Sequence, residues 1–108
     1  MTHYLIAEIR VTDDGWVPAY AAEVHDLVGK HGGRYLARSG NVATLEGPAS
    51  DATLVAVIAF PSRDAVDAFL ADPAYAPHGA ARRAGSVSRL TVIDDTDLAA
   101  IIPYLAAA

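Results

Sequence analysis

The alternation of apolar and polar residues predicts four β-strands. Tyr4–Val11 is rich in β-branched residues and has one consistently apolar face, which is typical of a strand. Leu54–Phe60 is apolar on both faces, so we expect a strand covered on both sides. Arg34–Ser39 and Val42–Glu46 indicate either one interrupted strand or two short ones, and Ser86–Asp94 is the last predicted strand.

Helical spacing of apolar residues appears between these strands. From Val17 to His31 the apolar side chains fall on one stripe, with Pro18 in the first turn and Gly32-Gly33 as the stop. A second helix is predicted over Ser62–Ala71, with Ser62 as its N-cap. Pro77 begins a further short helix that runs to about Ala84.

The order β-α-β-β-α-β predicts an α+β fold of the ferredoxin-like type, a four-stranded antiparallel sheet with helices on one face. The uncovered face would then present Tyr4, Ile6 and one apolar side of the Leu54–Phe60 strand to solvent. An apolar patch of this size usually marks an interface on a soluble protein. We therefore expect a two-fold homodimer in which two such faces meet.

Length, charge and cysteine content narrow the class of protein. The 108 residues suit one domain, assigned to residues 1–95, followed by an apolar tail at 96–108 expected to pack on the domain or on a partner subunit. The net charge of −5 argues against a nucleic-acid partner. No apolar run is long enough for a membrane span, and no cysteine is present, so the expectation is a soluble cytoplasmic protein without disulfides.

Several short stretches occur together at a characteristic spacing along the chain. They are Tyr20, the run Gly32–Arg38 (GGRYLAR), Leu45-Glu46-Gly47, Phe60-Pro61-Ser62, Asp72-Pro73-Ala74-Tyr75, and Arg82 seven residues later. Together they resemble the DUF1330 family of uncharacterised bacterial proteins in the dimeric α/β barrel superfamily, over roughly residues 4–94. The resemblance implies the ferredoxin-like fold and a dimer but no settled reaction. The superfamily includes cofactor-free monooxygenases, haem degraders and muconolactone-type isomerases, an analogy at the level of fold.

Arginines and tyrosines make up the strongest group of candidate binding residues. The candidate substrate-binding residues are Tyr20, Arg34, Tyr35, Arg38, Tyr75 and Arg82. A guanidinium can form two parallel hydrogen bonds with a carboxylate. In an acidic protein with a single lysine, these arginines therefore indicate recognition of a small anionic or aromatic metabolite. The alternative is structural, with Arg34 or Arg82 pairing with Glu46 or capping helix carbonyls.

Glu46 and His78 are the candidate catalytic residues. His78 lies four residues before Arg82, so the two share a face if the segment is helical, and histidine is suited to proton transfer at neutral pH. No histidine spacing suggests a metal site, and no cofactor is expected. The preferred interpretation is a small-molecule-binding protein that acts without a cofactor, by proton transfer, on a carboxylated or phenolic metabolite. The alternatives are a non-catalytic binding or interaction module and a cofactor-free monooxygenase.

Overall fold

The computed structural model describes residues 1–100 and contains one four-stranded sheet with three helices. The elements are β1 (His3–Val11), α1 (Val17–Lys30), β2 (Arg34–Ser39), β3 (Leu54–Phe60), α2 (Arg63–Ala71), α3 (Ala76–Gly85), β4 (Ser86–Asp94) and a 3-10 turn at Leu98–Ala100. The strand order is β2-β3-β1-β4, and all neighbouring strands are antiparallel. The predicted α+β ferredoxin-like fold is confirmed.

Local chemistry explains where the helices begin and end. The first helix has proline in its first turn and is followed by Gly32 with φ +79°, a conformation that glycine adopts without steric cost. A side chain at the next residue, Gly33, would collide with the ring of Phe60, so the chain passes close to the core there. The second helix is capped by Ser62, whose hydroxyl accepts from the Ala65 N–H at 3.0 Å, as predicted.

All three helices lie on one face of the sheet, which we call the helix face. Its buried cluster contains Leu5, Val24, Val28, Ile58, Phe60, Val66, Phe69 and Tyr75, contributed by β1, α1, β3, α2 and the turn before α3. Since alternate strand residues point to opposite sides, the residues between them form the outer face. The packed helix face therefore leaves the outer face uncovered by any helix in residues 1–100.

The outer face has an apolar centre, charged residues of β1 and β4 at one end, called the charged end, and Arg34 of β2 near the other. It is formed by Tyr4, Ile6, Glu8 and Arg10 on β1, by Val55, Val57 and Ala59 on β3, and by Val87, Arg89, Thr91 and Ile93 on β4. Val87 and Ile93 are 57% and 52% exposed. At the charged end, Arg10 pairs with Asp51 at 3.2 Å, and Arg89 lies 3.9 Å from Glu8.

The predicted strand at Val42–Glu46 is wrong. In the described structure, residues 40–53 form a long loop after β2, almost entirely exposed, with Leu45 96% exposed. Side chains in and beside the loop bind its own backbone: the Ser39 hydroxyl accepts from the Asn41 N–H and the Thr44 hydroxyl accepts from the Ser50 N–H. Such local bonds compete with strand pairing. Residues 101–108, most of the tail for which packing was predicted, lie outside the described residues.

Candidate functional site

A cleft of about 460 Å³ opens on the helix face between the first half of α1 and the sheet. Its walls are mainly apolar and include Ile9, Trp16, Tyr20, Tyr35, Ile58 and Arg38. This volume lies in the range usual for small-molecule sites, which are lined mostly by apolar side chains with a few polar groups. The cleft is therefore the candidate binding site.

A β-bulge in β2 places two predicted site residues in this cleft. Tyr35 is opposite Ile58 and Arg38 is opposite Ala56, and both of those partners face the helices. Residues three apart in a regular strand point to opposite faces. The register shift between Tyr35 and Ala37 adds one residue, so Tyr35 and Arg38 share the helix face.

Arg38 is held at the mouth of the cleft by two contacts. Its guanidinium carbon lies 3.9 Å from the centre of the Tyr35 ring, and one of its nitrogens donates to His25 Nδ1 at 3.1 Å. Because arginine only donates, His25 accepts through Nδ1 and carries its proton on Nε2. The His25 ring also stacks parallel to Tyr35, with centroids 5.6 Å apart. Burial raises the pKa of Tyr35, and the adjacent Arg38 charge acts in the opposite direction.

Tyr20, which lines the cleft, forms a pair of hydroxyl groups with Tyr75, which lies behind the lining residues. Their oxygens are 2.8 Å apart, and Tyr75 is only 3% exposed. Trp16 meets the Tyr20 ring edge to face at 5.1 Å. Burial, reinforced by the neighbouring Tyr75, raises the pKa of Tyr20 far above its ordinary value, while Arg82 acts in the opposite direction. Tyr20 is therefore a neutral hydrogen-bonding group at physiological pH.

His78 lies beside this pair on α3. Its Nε2 is 2.5 Å from a carboxylate oxygen of Glu23 on α1, and its ring meets Tyr20 edge to face at 6.2 Å. The side chain of His78 is 15% exposed, whereas that of Glu23 is 65% exposed. This contact therefore links the two helices at a position that borders both the buried phenols and solvent.

Arg82 is buried on the inner side of α3. It is 5% exposed, and one of its terminal nitrogens donates to the hydroxyl of Ser88 on β4. The buried Nε has no hydrogen-bond acceptor. Within the part of the chain that the structure describes, no carboxylate lies within 4.0 Å of this guanidinium.

The predicted site residues are thus divided among four places. Tyr20, Tyr75, His78 and Arg82 gather between α1, α3 and β4, and Tyr35 with Arg38 lies across the cleft. Arg34 is opposite Ala59 in the sheet and so belongs to the outer face. Glu46 lies in the exposed loop and does not line the cleft. The expectation that Arg34, Glu46 and Arg82 converge within one protomer is therefore not met.

Trp16 is not among the candidate binding residues that the sequence analysis names. It packs at the entrance of α1, where its Nε1 donates to the Gly85 carbonyl at 3.2 Å. Gly85 leaves room for the indole, because a side chain there would overlap it. The same ring also lines the cleft. Its place next to the turn before α1 was visible in the sequence, but the depth of the cleft was not.

Asp72 forms a separate cluster that is structural in character. Its carboxylate is contacted by His31 Nε2 at 2.8 Å and by Lys30 Nζ at 3.1 Å, and it accepts from the Ala74 N–H at 2.9 Å. The bond with His31, followed by those from Ala74 and Lys30, lowers the pKa of Asp72 well below its usual range. These contacts join the end of α1 to the turn after α2.

Acidification should weaken this cluster. A carboxyl group whose pKa is lower in the folded state stabilises the protein above its unfolded pKa of about 3.9, and this contribution is lost as the pH falls. We expect Asp72→Asn to lower the melting temperature at pH 7 and the difference from the parent protein to shrink as the pH falls below about 4. Thermal melts at several pH values test this, with the exposed Asp64→Asn as a control. An equal difference at every pH would contradict the electrostatic role.

Residues 1–100 contain neither a candidate membrane-spanning helix nor a candidate metal-binding cluster. No helix in this range is long and apolar enough to cross a lipid bilayer. No group of three or more His, Asp or Glu side chains in the same range is arranged to hold a metal ion.

The topology and the cleft define a ferredoxin-like α+β protomer with a candidate binding site on its helix face. The model of the family described as "Domain of unknown function (DUF1330)" matches residues 2–96. The chain belongs to this family. No curated protein sequence matches it.

Solved structures share the fold at low sequence identity. A protein of unknown function from Rhodopseudomonas palustris, RPA0582, superimposes with a TM-score of 0.75 at 19% identity, covering 89% of this chain and 83% of that one. SnoaB, a cofactor-independent oxygenase from Streptomyces nogalater, gives 0.63 at 18%, covering 89% and 94%. A structure described as an antibiotic biosynthesis monooxygenase gives 0.57 at 16%, covering 90% and 100%. At these identities the similarity concerns the fold.

Proposed function

We propose that the cleft binds a small, flat, largely apolar molecule that carries an acidic oxygen, a phenol or a carboxylate. The observation that carries this proposal is the composition of the walls: apolar side chains surround the cleft, while phenols and the anchored Arg38 supply hydrogen bonds and positive charge. Apolar walls favour the rings of such a molecule, and a few polar groups orient it. Arg38 is held over Tyr35 before any ligand arrives, which reduces the entropy lost on binding.

The chemistry that this cleft favours is proton transfer without a bound cofactor. Tyr20 lines the cleft, its hydroxyl is bonded to that of Tyr75, and His78 with Glu23 lies beside them. Phenols and histidine are common acid–base groups. We assign His78 the role of exchanging protons with solvent near the phenol pair. Glu46 has no part in the cleft of its own protomer.

Cofactor-free oxygenation is the second candidate. It is supported by the similarity in fold to SnoaB, whose description is a cofactor-independent oxygenase, and to the antibiotic biosynthesis monooxygenase. In this chemistry the ionised substrate itself donates electrons to O₂, and the protein ionises the substrate and excludes water. An apolar cleft that holds an anion meets both requirements.

We also propose that the protein is a homodimer joined through its outer faces. The centre of that face is apolar, with Ile6 and Val57 side by side, and no helix in residues 1–100 covers it. Its charged end carries equal numbers of acids and bases, the pairs Arg10–Asp51 and Arg89–Glu8. A two-fold interface must be complementary to itself, and this distribution of charge permits that. The cleft lies on the opposite side of the sheet and stays accessible in such a dimer.

Fluorescence of the single tryptophan tests ligand binding directly. Trp16 lines the cleft, so we expect 1-naphthoate to quench its emission saturably and the neutral isostere 1-naphthamide to bind about tenfold more weakly, a difference of ~1.4 kcal/mol. Arg38→Gln should weaken the binding of both probes, whereas Arg63→Gln on the exposed side of α2 should not. Absence of saturable quenching by either probe would overturn the proposal.

A test for turnover distinguishes an enzyme from a non-catalytic binding module. The flat ketone 2-tetralone has an acidic C–H bond, and proton transfer would exchange this proton for deuterium from D₂O, which NMR detects. An exchange rate above the buffer rate that falls in His78→Gln supports proton transfer by the assigned group. Binding without any acceleration of exchange would identify a non-catalytic binding module instead.

A further inference from the structure

Arg82 is a buried cation that lacks a counter-charge in the described structure. It is 5% exposed, its Nε has no acceptor, and its neighbour on β4 is the neutral hydroxyl of Ser88. Removing a charged group from water is costly unless an opposite charge compensates for it. In a fold of this size such a group is expected to have a negative partner, and residues 1–99 do not supply one within 4.0 Å.

The guanidinium lies one layer behind the inner wall of the cleft. Ser88, to which it donates, is directly opposite Ile9 in the pairing of β1 with β4, and Ile9 lines the cleft. Its charge is close enough to Tyr20 to oppose the effect of burial on the pKa of that phenol. Tyr20 lines the cleft as well. The part of the cleft lined by Ile9 and Tyr20 is called its inner end. The positive charge therefore acts on this inner end through a short layer of side chains.

We propose that the inner end of the cleft binds an ionised ligand oxygen, a phenolate or an enolate, which accepts from the Tyr20 hydroxyl and has the buried Arg82 as its counter-charge. This rests on the proposed binding function and adds the orientation and charge state of the ligand. The acidic oxygen points inward toward Tyr20, and the remainder of the molecule points toward Arg38 at the mouth. Arg82 is a positioning residue here, since it acts through the wall.

The hydroxyl pair is well suited to this role. Two hydroxyls joined by one hydrogen bond use one proton between them, so when Tyr75 donates to Tyr20, the Tyr20 proton is available to a ligand. Burial raises the pKa of Tyr20, so the phenol keeps this proton and acts as a donor. A preorganised donor and a fixed positive charge in an apolar site stabilise an anion more strongly than water-exposed groups do.

The other titratable groups facing this end come from the neighbouring elements. They are Tyr75 from the turn before α3, His78 on α3 with its partner Glu23 on α1, and Tyr35 on β2. The carboxylate of Glu23 is directed to His78 and is largely exposed, so it does not neutralise Arg82. Asp14 and Arg38 are both exposed and line the cleft elsewhere.

A chromogenic phenol tests the proposal. The probe is 4-nitrophenol, whose phenolate absorbs visible light and whose proton passes to the buffer on ionisation. We expect its apparent pKa to fall by about one unit when bound, equivalent to ~1.4 kcal/mol of preference for the anion. Arg82→Gln should abolish this shift and Arg82→Lys should retain part of it. Arg83→Gln, the exposed neighbour on the same helix, should leave the shift unchanged.

Two further variants keep the test decisive. Tyr20→Phe removes the donor at the inner end without removing a charge, so it should reduce the shift even if Arg82→Gln fails to fold. Arg38→Gln should weaken binding but preserve the shift. A bound probe with an unshifted pKa, or a shift lost in Arg38→Gln and retained in Arg82→Gln, would overturn the proposed orientation. Absence of binding by both 4-nitrophenol and the naphthyl probes would instead overturn the proposed function.

Discussion

Ala21→Phe is expected to block ligand binding while leaving the fold intact. Ala21 is exposed on α1 and lines the cleft, so a phenyl ring at this position would turn onto the apolar walls and occupy the ligand's space. Burying a phenylalanine side chain contributes about 1.5–3 kcal/mol, which a ligand must overcome to displace it. This corresponds to roughly 10- to 100-fold weaker binding of 1-naphthoate, measured by quenching of Trp16 fluorescence.

Ala22→Phe is the matched control for this prediction. Ala22 is the next residue on the same helix, is also exposed, and does not line the cleft. The two variants share the small loss of helix propensity that follows replacement of alanine by phenylalanine, about 0.5 kcal/mol. Both variants should remain folded, with Ala21→Phe melting at the same or a higher temperature because its ring is buried, and their affinities should differ. Equal affinities would show that the probe binds outside the cleft.

Val57→Arg is expected to separate the proposed homodimer into folded monomers. Val57 lies at the centre of the outer face, between Ile6 of β1 and Ala37 of β2. In a face-to-face dimer the new guanidinium would be buried without a partner, and the two-fold axis would introduce two such charges. One uncompensated buried charge costs several kcal/mol, so the dissociation constant should rise at least about 1,000-fold.

Light scattering coupled to size exclusion chromatography measures this change. The parent protein at micromolar concentration should elute with twice the protomer mass, and Val57→Arg should elute as a monomer with an unchanged circular dichroism spectrum. Val57 is only partly buried within the protomer, so arginine can extend into solvent there. Ala68→Arg on the exposed side of α2 should remain dimeric. A parent protein that is already monomeric would refute the homodimer.

The fold was largely predictable because its signals are local. The apolar run of β3, the Ser62 cap and the glycine stop after α1 each act through their immediate neighbours, and each is found where the pattern predicts it. The strand predicted at Val42–Glu46 is wrong because strand formation there depends on a distant partner and not on local signals. An alternating segment becomes a strand only when another strand is available for pairing, and short side-chain bonds to the backbone organise this loop instead.

The candidate site was predictable in its residue types but not in its grouping. The sequence indicated that arginines, tyrosines and His78 carry the chemistry, and three of these residues, Tyr20, Tyr35 and Arg38, line one cleft. The bulge that brings Tyr35 and Arg38 to the same face is a property of strand pairing, and no residue type in β2 predicts it. The location of Arg34 on the outer face follows from the same register.

The order of elements, the apolar faces of the strands and the ends of the helices were determined by the sequence itself, since periodicity, caps and glycines act over a few residues. The tertiary structure alone decided which polar groups meet. Arg82 lies behind Tyr20, and Glu46 lies in an exposed loop outside the cleft, because contacts between distant segments depend on register and helix packing. Helix packing also buries Arg82 without a carboxylate partner, and the proposed chemistry depends on this burial.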